Sequence, residues 1–324
     1  MTTRRRVRVV LMALALTAAA AGPAACAEGS PASEPAAERG KGNPRTDKLA
    51  QILDRGTLVG YAELDYPPQS IRVEGATRAS TTACGADQMT AAEVTGFDVE
   101  TTKLLASALG VEACFVRPSW TEVTAGNWGD RLDIAYGSGS INTDRMTRLW
   151  MTQPYYAVPN YYFVRRDSPA RAPGDLDGKR IGVCASCSHE LYLRGELEIP
   201  GVAIEPTVRS PEIVAFETEG PGLAAAAKGD IDAFLCSGPV GQAIVDEGAK
   251  LRPLPGVAFT YYPSGFVDKS SGLDSTAFVK RVNRIISTAQ ADGRLTQLSM
   301  DWFGTDYVAA AAEFDLDRIR QELP

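Results

Sequence analysis

From Asp47 onward, short apolar runs that suit buried strands alternate with helical stretches that stop at glycine, and the alternation occurs in two successive blocks. Such alternation calls for parallel sheets with helices packed on them, and it places a ligand at the carboxyl ends of the strands. In the first block Leu58-Val59-Gly60 reads as a strand, 97–109 as a helix stopped by Gly110, Cys114-Phe115-Val116 as a strand, Trp120 as the opening of a short helical stretch and 132–135 as a strand. The 97–109 helix gathers Phe97, Leu104, Leu105, Ala108 and Leu109 on one face. Residues 70–95 are rich in Thr, Ala, Ser and Gly without a period and read as an inserted loop. The second block begins near Gly174, with strands at 179–183, 202–208 and 231–235 and helices at 188–194 and 223–228, the last ended by Gly229. Phe278, Val279, Val282, Ile285, Ile286 and Ala289 then mark a strongly amphipathic helix. A body of about 280 residues is long for one hydrophobic core, so two lobes are expected.

The segment before Asp47 reads as an address. Arg4, Arg5, Arg6 and Arg8 precede an apolar run from Val9 to Ala21, too short for a stable membrane span but suited to a signal peptide over 1–25. Ala24-Ala25-Cys26 resembles a lipobox, with Pro23 where that pattern usually has Leu, so Cys26 is the expected lipidation site. Residues 26–46 carry almost no large apolar side chains and read as a flexible tether. An exported lipoprotein, held on the outer face of the cell membrane, is the expectation. The chain carries a net charge of −7, which becomes −11 once the four n-region arginines are removed. No Lys/Arg cluster is present, which argues against nucleic acid as a partner. The sequence holds no G-x-G-x-x-G, no Walker loop and no zinc-protease helix, and it has a single histidine. It is poor in catalytic grammar, and neither an enzyme nor a cofactor is expected.

Eight short motifs follow one another in a recognisable order: Tyr66-Pro67-Pro68; Gly96-Phe97-Asp98-Val99-Glu100; Trp120 thirteen residues before Asp133; Ser140-Ile141-Asn142-Thr143-Asp144-Arg145; Pro154-Tyr155-Tyr156; Asp175 to Val183; Lys228-Gly229-Asp230-Ile231-Asp232-Ala233; and Ala291 to Leu295 leading to Trp302-Phe303-Gly304. In that order they resemble the family 3 extracellular solute-binding proteins of ABC importers, known for polar amino acids. The resemblance implies an α/β, periplasmic-binding-protein-like type II fold with two lobes joined by two hinge crossings. The first lobe would be 47–158 plus 260–307, the second 159–259, and 308–324 a C-terminal tail. The solute would sit between the lobes, which hinge shut on it. The implied partners are an amino acid or other carboxylate solute and an ABC permease, with the binding protein a monomer.

The resemblance also assigns a site. Arg145 would hold the solute's carboxylate, a task that the planar, always-charged guanidinium suits. Ser138 and Ser140, around Gly139, would add hydrogen bonds, and Ser188, at a helix start, would meet the carboxylate from the second lobe. Tyr66 and Trp120 would sandwich the solute. Glu63 lies where binders of basic amino acids often carry an acid. Ser237 is a departure: the family's amino-acid binders usually place Asp there, to pair with the ammonium group. Either Glu63 or Asp65 takes over that role, or the solute has no α-amino group. A dehydratase resembling cyclohexadienyl dehydratases, with Glu63 as its acid, and a ligand-sensing lipoprotein are the competing readings.

Setting Cys26 aside leaves an odd number of cysteines. Cys84, in the inserted loop, and Cys114, on a neighbouring strand, are the first choice for a disulfide. Cys184, Cys187 and Cys236 would lie near strand ends of the second lobe, with the pairing among them open. Cys184-x-x-Cys187-x-His189 with Cys236 could make a Cys3His metal site, but the spacing is unlike a common zinc module. His189 reads more simply as an exposed residue in a first helical turn, and no metal is expected.

Overall fold

The computed structural model describes residues 42–314. The expected signal peptide, the Cys26 lipidation site, most of the tether and residues 315–324 lie outside the described residues. Strands group into sheets along the two blocks. In the first, Thr57–Tyr61 and Glu112–Val116 pair in parallel, and Met89–Thr90 adds antiparallel to Glu112–Val116. Leu149–Pro154 pairs with Ser264–Asp268. In the second, a six-stranded sheet runs Glu212–Phe216, Arg180–Cys184, Ala233–Ser237, Val158–Arg165, Leu251–Pro253, with Phe259–Tyr261 also on Val158–Arg165. Its first three strands are parallel and the others antiparallel to their neighbours.

Two segments join these groups. Val158–Arg165 carries the chain from the first lobe to the second, and Phe259–Tyr261 brings it back. They lie side by side and antiparallel, with Phe259 opposite Asn160 and Tyr261 opposite Val158. Paired crossings of this kind let two rigid lobes rotate with little change inside either.

The helix Phe97–Leu109 shows why the first lobe closes where it does. It starts at Gly96, whose φ is 124° and where a Cβ would meet the Gln69 carbonyl oxygen at 2.3 Å, so only glycine fits. The buried face differs from the expected one: Asp98, Thr101 and Thr102 are buried with Phe97, Val99, Leu105, Ala106 and Leu109, while Ala108 is exposed and Leu104 half-buried. The polar members are accommodated because Thr101 and Thr102 donate to the carbonyls of Phe97 and Asp98 one turn back. Phe97 packs against Tyr155, Tyr156 and Phe303, an aromatic cluster drawn from distant parts of the chain. The amphipathic helix Thr276–Ala291 buries the six residues that its period singled out.

Several expectations need correction. The 70–95 segment is more than a loop: Ser70–Arg72 pairs with Asp65–Tyr66 and with Val94–Thr95. Residues 132–135 make isolated bridges, Gly60 to Ile134 and Ala135 to Phe266, and no extended ladder. Residues 202–208 are not a strand; the Tyr192 hydroxyl accepts from the Thr207 amide, and its single hydrogen lies between the Ala258 and Glu205 carbonyls at 3.0 and 3.2 Å, so a side chain takes part in satisfying that backbone. In the tail, Val308, Ala311 and Phe314 are buried.

Cys84 and Cys114 form a disulfide, Cα to Cα 5.5 Å, that pins the inserted segment to the Glu112–Val116 strand. It closes a loop with a sequence separation of 30. In the chain-entropy picture such a crosslink stabilises by about 3–4 kcal/mol. Replacing both cysteines by serine is expected to lower the urea midpoint accordingly, with the slope of the transition reporting any change in the unfolded state.

Candidate functional site

The carboxyl ends of strands from both lobes face one cleft, lined by Trp120, Arg145, Ser188 and Glu219 among others. Arg145 lies in the short helix Thr143–Met146, whose N-cap Asn142 accepts the Arg145 amide at 2.8 Å. Its side chain is only 2 % exposed. The guanidinium donates to the carbonyls of Ser140 (3.0 Å) and Ser186 (2.9 Å) and sits 3.4 Å from Ser188 Oγ. Its carbon lies 5.3 Å from the Trp120 ring centroid and 5.4 Å from that of Phe266. Burial pulls its pKa down to about 10, which leaves it cationic at neutral pH. All of these partners are neutral, and among the described residues no carboxylate pairs with it. A buried charge without a counter-ion is costly. The Asp144 carboxylate, itself bound to Arg148, favours the charge of Arg145 only from outside ion-pair distance, so Arg145 is a buried cation with no direct counter-ion, facing a cleft.

The residues beside it are held rather than free. Ser138, at φ 56°, donates its hydroxyl to Asp98 (2.8 Å) and accepts from Tyr156 (2.6 Å). Tyr155 donates to the same Asp98 at 2.6 Å. Burial pushes Asp98 up to about 7, against the pull of the Tyr155 and Ser138 hydrogen bonds. Ser140 donates to the Ile141 carbonyl and accepts from the Tyr262 amide. Between these serines a Cβ on Gly139 would meet the Phe266 ring at 2.3 Å and Trp120 at 2.8 Å, so the backbone there lies flat against the aromatic wall. Tyr66 and Trp120 both line the cleft. The buried indole nitrogen of Trp120 makes no hydrogen bond.

Glu63 and Asp65 line the cleft but already have partners. Tyr61 donates to Glu63 at 2.8 Å, and Arg117 lies 3.7 Å from Glu63 and 2.8 Å from Asp65. Asp65 is 77 % exposed. On the second lobe, Ser188 heads the helix Ser188–Arg194, buried and within 3.4 Å of both Arg145 and Asn142. Thr143 bonds to the Glu198 carbonyl and carboxylate across the gap. These contacts span the cleft.

Ser237 ends its strand, as the sequence implied. It is fully buried, opposite Asn160 and beside the cleft residue Tyr261. The buried acid on the cleft wall is Glu219, the first residue of the helix Glu219–Lys228. It is 5 % exposed. One oxygen has no hydrogen-bond partner, and the other lies 3.9 Å from Cys184 Sγ. Sequence reasoning missed it because an acid in a first helical turn already has a reason to be there, the helix dipole.

Cys184 and Cys187 are joined to each other, and Cys236 is a buried free thiol that burial pushes up in pKa. His189 is buried, contrary to the exposed position expected. Its ring packs edge-on to Phe259 and Tyr261. The Asn160 amide nitrogen donates to the Val158 and Phe259 carbonyls, so Asn160 Oδ1 accepts from His189 Nε2 at 2.7 Å. Burial and Arg145 lower His189 to about 3, so it is neutral. With Cys184 and Cys187 oxidised, the cluster offers a metal one imidazole nitrogen and no thiolate from that pair, and a Cys3His site does not fit.

The family model for bacterial extracellular solute-binding proteins, family 3, matches residues 80–305. The chain is 26 % identical over 260 residues to the L-cystine-binding protein TcyJ of Escherichia coli K12, covering 80 % of this chain and 86 % of that one. It is 32 % identical over 108 residues to a cyclohexadienyl dehydratase of Pseudomonas aeruginosa, covering 33 % of this chain and 34 % of the enzyme. The fold matches the amino acid ABC transporter substrate-binding protein AbpA of Streptococcus pneumoniae bound to L-arginine, with TM-score 0.62 and 20 % identity over 79 % of this chain and 98 % of that one.

Proposed function

The chain belongs to the bacterial extracellular solute-binding proteins, family 3, and from that premise we propose that it is the substrate-binding component of an ABC importer that captures an amino acid by its carboxylate. The fold is the type II, two-lobed α/β fold of that family. We take the lobes as 47–158 with 260–307 and 159–259. The observation that carries the reading is Arg145: a buried cation, aimed into a closing cleft, with only neutral partners. A carboxylate is the group that its planar fork fits in two parallel hydrogen bonds. Ser188 would close on that carboxylate from the second lobe, and Tyr66 and Trp120 would flank the solute.

A thermal-shift screen against the proteinogenic L-amino acids, L-cystine and simple carboxylates tests this. A solute at a hundred times its Kd adds about 2.7 kcal/mol of stability, an easily seen shift. No shift with any carboxylate would overturn the proposal. Trp120→Ala is expected to weaken binding of the best solute at least about tenfold, since buried aromatic anchors dominate small interfaces; titration calorimetry reads this directly.

We further propose that the protein is exported and anchored through Cys26, acts as a monomer and does no chemistry. The anchor is supported by the basic, apolar and small-residue order of 1–26. Cys26→Ser should release the protein from the membrane fraction into the medium. The dehydratase reading gains one specific support, since Glu219, which burial raises to about 8, has the character of a general acid. Glu63, held by Tyr61 and near Arg117, does not. Appearance of an aromatic absorbance on incubation with cyclohexadienyl carboxylates would favour the enzyme over the carrier.

A further inference from the structure

We propose that Glu219 is the counter-ion for the solute's ammonium group, so that the cleft selects zwitterionic amino acids over carboxylates lacking an amine. This rests on the reading of Arg145 as the carboxylate site and supplies the half of the zwitterion that Ser237 leaves open.

Glu219 is an acid that nothing among the described residues satisfies. Both sulfurs of the neighbouring disulfide lack a hydrogen to donate, so the 3.9 Å contact with Cys184 is no hydrogen bond. The second oxygen is buried without a partner. A first-turn acid that served only the helix dipole would do so as well exposed, without the cost of desolvation. Of the other cleft acids, Glu63 and Asp65 are already engaged with Tyr61 and Arg117, and Glu217 is exposed to solvent. Among the described residues no cation faces Glu219 from the elements around it. Tyr66 approaches from the first lobe, Tyr261 from the crossing, Cys236 from the adjacent strand and Cys184 from the turn, all of them neutral at pH 7.

The placement suits a small zwitterion. Arg145 and Glu219 abut the same turn, residues 184–188, Arg145 on Ser186 and Ser188 and Glu219 on Cys184. A buried cation and a buried carboxyl group that is protonated while the cleft is empty, neither in an ion pair among the described residues, therefore line one cleft against one short turn. A ligand with a carboxylate alone would neutralise Arg145 and leave Glu219 stranded. A zwitterion gives both a partner, its ammonium displacing the proton from Glu219.

A pH signature follows. Burial raises Glu219 to about 8 when the cleft holds no ammonium. An ammonium beside it favours the ionised form and lowers that value. Binding below about pH 8 must then release a proton, and affinity should rise with pH up to that point and level off above it.

The test is titration calorimetry of the protein and of Glu219→Gln, in two buffers of different ionisation enthalpy. The probes are the proteinogenic L-amino acids and L-cystine, each beside the same acid without its α-amine, such as L-arginine beside 5-guanidinopentanoate. The wild type should prefer the best amino acid over its deaminated form by at least about 30-fold, and release close to one proton at pH 6.5. Glu219→Gln should cut that preference to about threefold or less and abolish the proton release. A preference that survives in Glu219→Gln overturns the proposal. Equal wild-type binding of the deaminated acid, lost in Arg145→Ala, overturns it while the carboxylate reading stands. No binding by any amino acid or carboxylate removes both. If Glu219→Gln fails to fold, the wild-type preference and proton release still decide.

Discussion

Arg145→Ala is expected to abolish capture of the solute, with affinity falling by roughly 30-fold to several thousand-fold, the equivalent of about 2–5 kcal/mol for truncating one partner of a buried charge pair. The loss should come mainly as faster release, since the interaction forms once the lobes have closed. The unliganded variant should still fold. The groups that Arg145 touches are two carbonyls, a hydroxyl and two aromatic rings, so the substitution strands no opposite charge. Titration calorimetry on the variant, with its melting temperature alongside, separates a lost site from a lost fold. A variant that melts near the wild type and binds as tightly would remove Arg145 from the site.

The second large effect is on stability. Asp133 is fully buried, 2.7 Å from the equally buried Lys48 ammonium; it also pairs with Arg55 and accepts the Val59 amide at 2.8 Å. This carboxylate ties the helix Lys48–Arg55 to the strand Thr57–Tyr61, at the start of the described body. Asp133→Ala would leave Lys48 charged, buried and bonded only to Gln51 at 3.5 Å. Removing one partner from a buried pair costs about 3–5 kcal/mol. For a chain of this size the melting temperature should drop on the order of 10 °C. Restoring apolar balance with Lys48→Met in the same chain should recover part of the loss, which a double-mutant cycle measures.

How far the sequence could be read depended on where each signal was stored. The helix Ser188–Arg194 and the helix Thr276–Ala291 were legible because a local turn marks the start of one and a local apolar period marks the other. The strand Val158–Arg165 was not, because Pro159 and Asn160 break any strand pattern near its start, yet it is the spine of the second sheet and one of the crossings. Its Asn160 earns its place through long-range bonds to the Phe259 carbonyl and to His189. His189 looked like a surface residue for the same reason: Phe259 and Tyr261 bury it from seventy residues away. In the cleft, Arg145, Trp120, Tyr66 and Ser188 were legible through the order of motifs that the family shares. Glu219 lay outside those motifs. Its chemistry comes from desolvation and from the absence of a donor, neither of which is written in Thr218-Glu219-Gly220. Ser237 was legible as a strand end, whereas its full burial comes from the packing of neighbouring strands, which local sequence does not carry.

The most direct test of the central claim is a crystal structure of the protein with the amino acid that gives the largest thermal shift. The solute's carboxylate should lie about 2.7–2.9 Å from the Arg145 guanidinium nitrogens, with the ammonium on Glu219 and both lobes closed over it. A solute bound in the cleft with its carboxylate turned away from Arg145, or bound outside the cleft, would contradict the account.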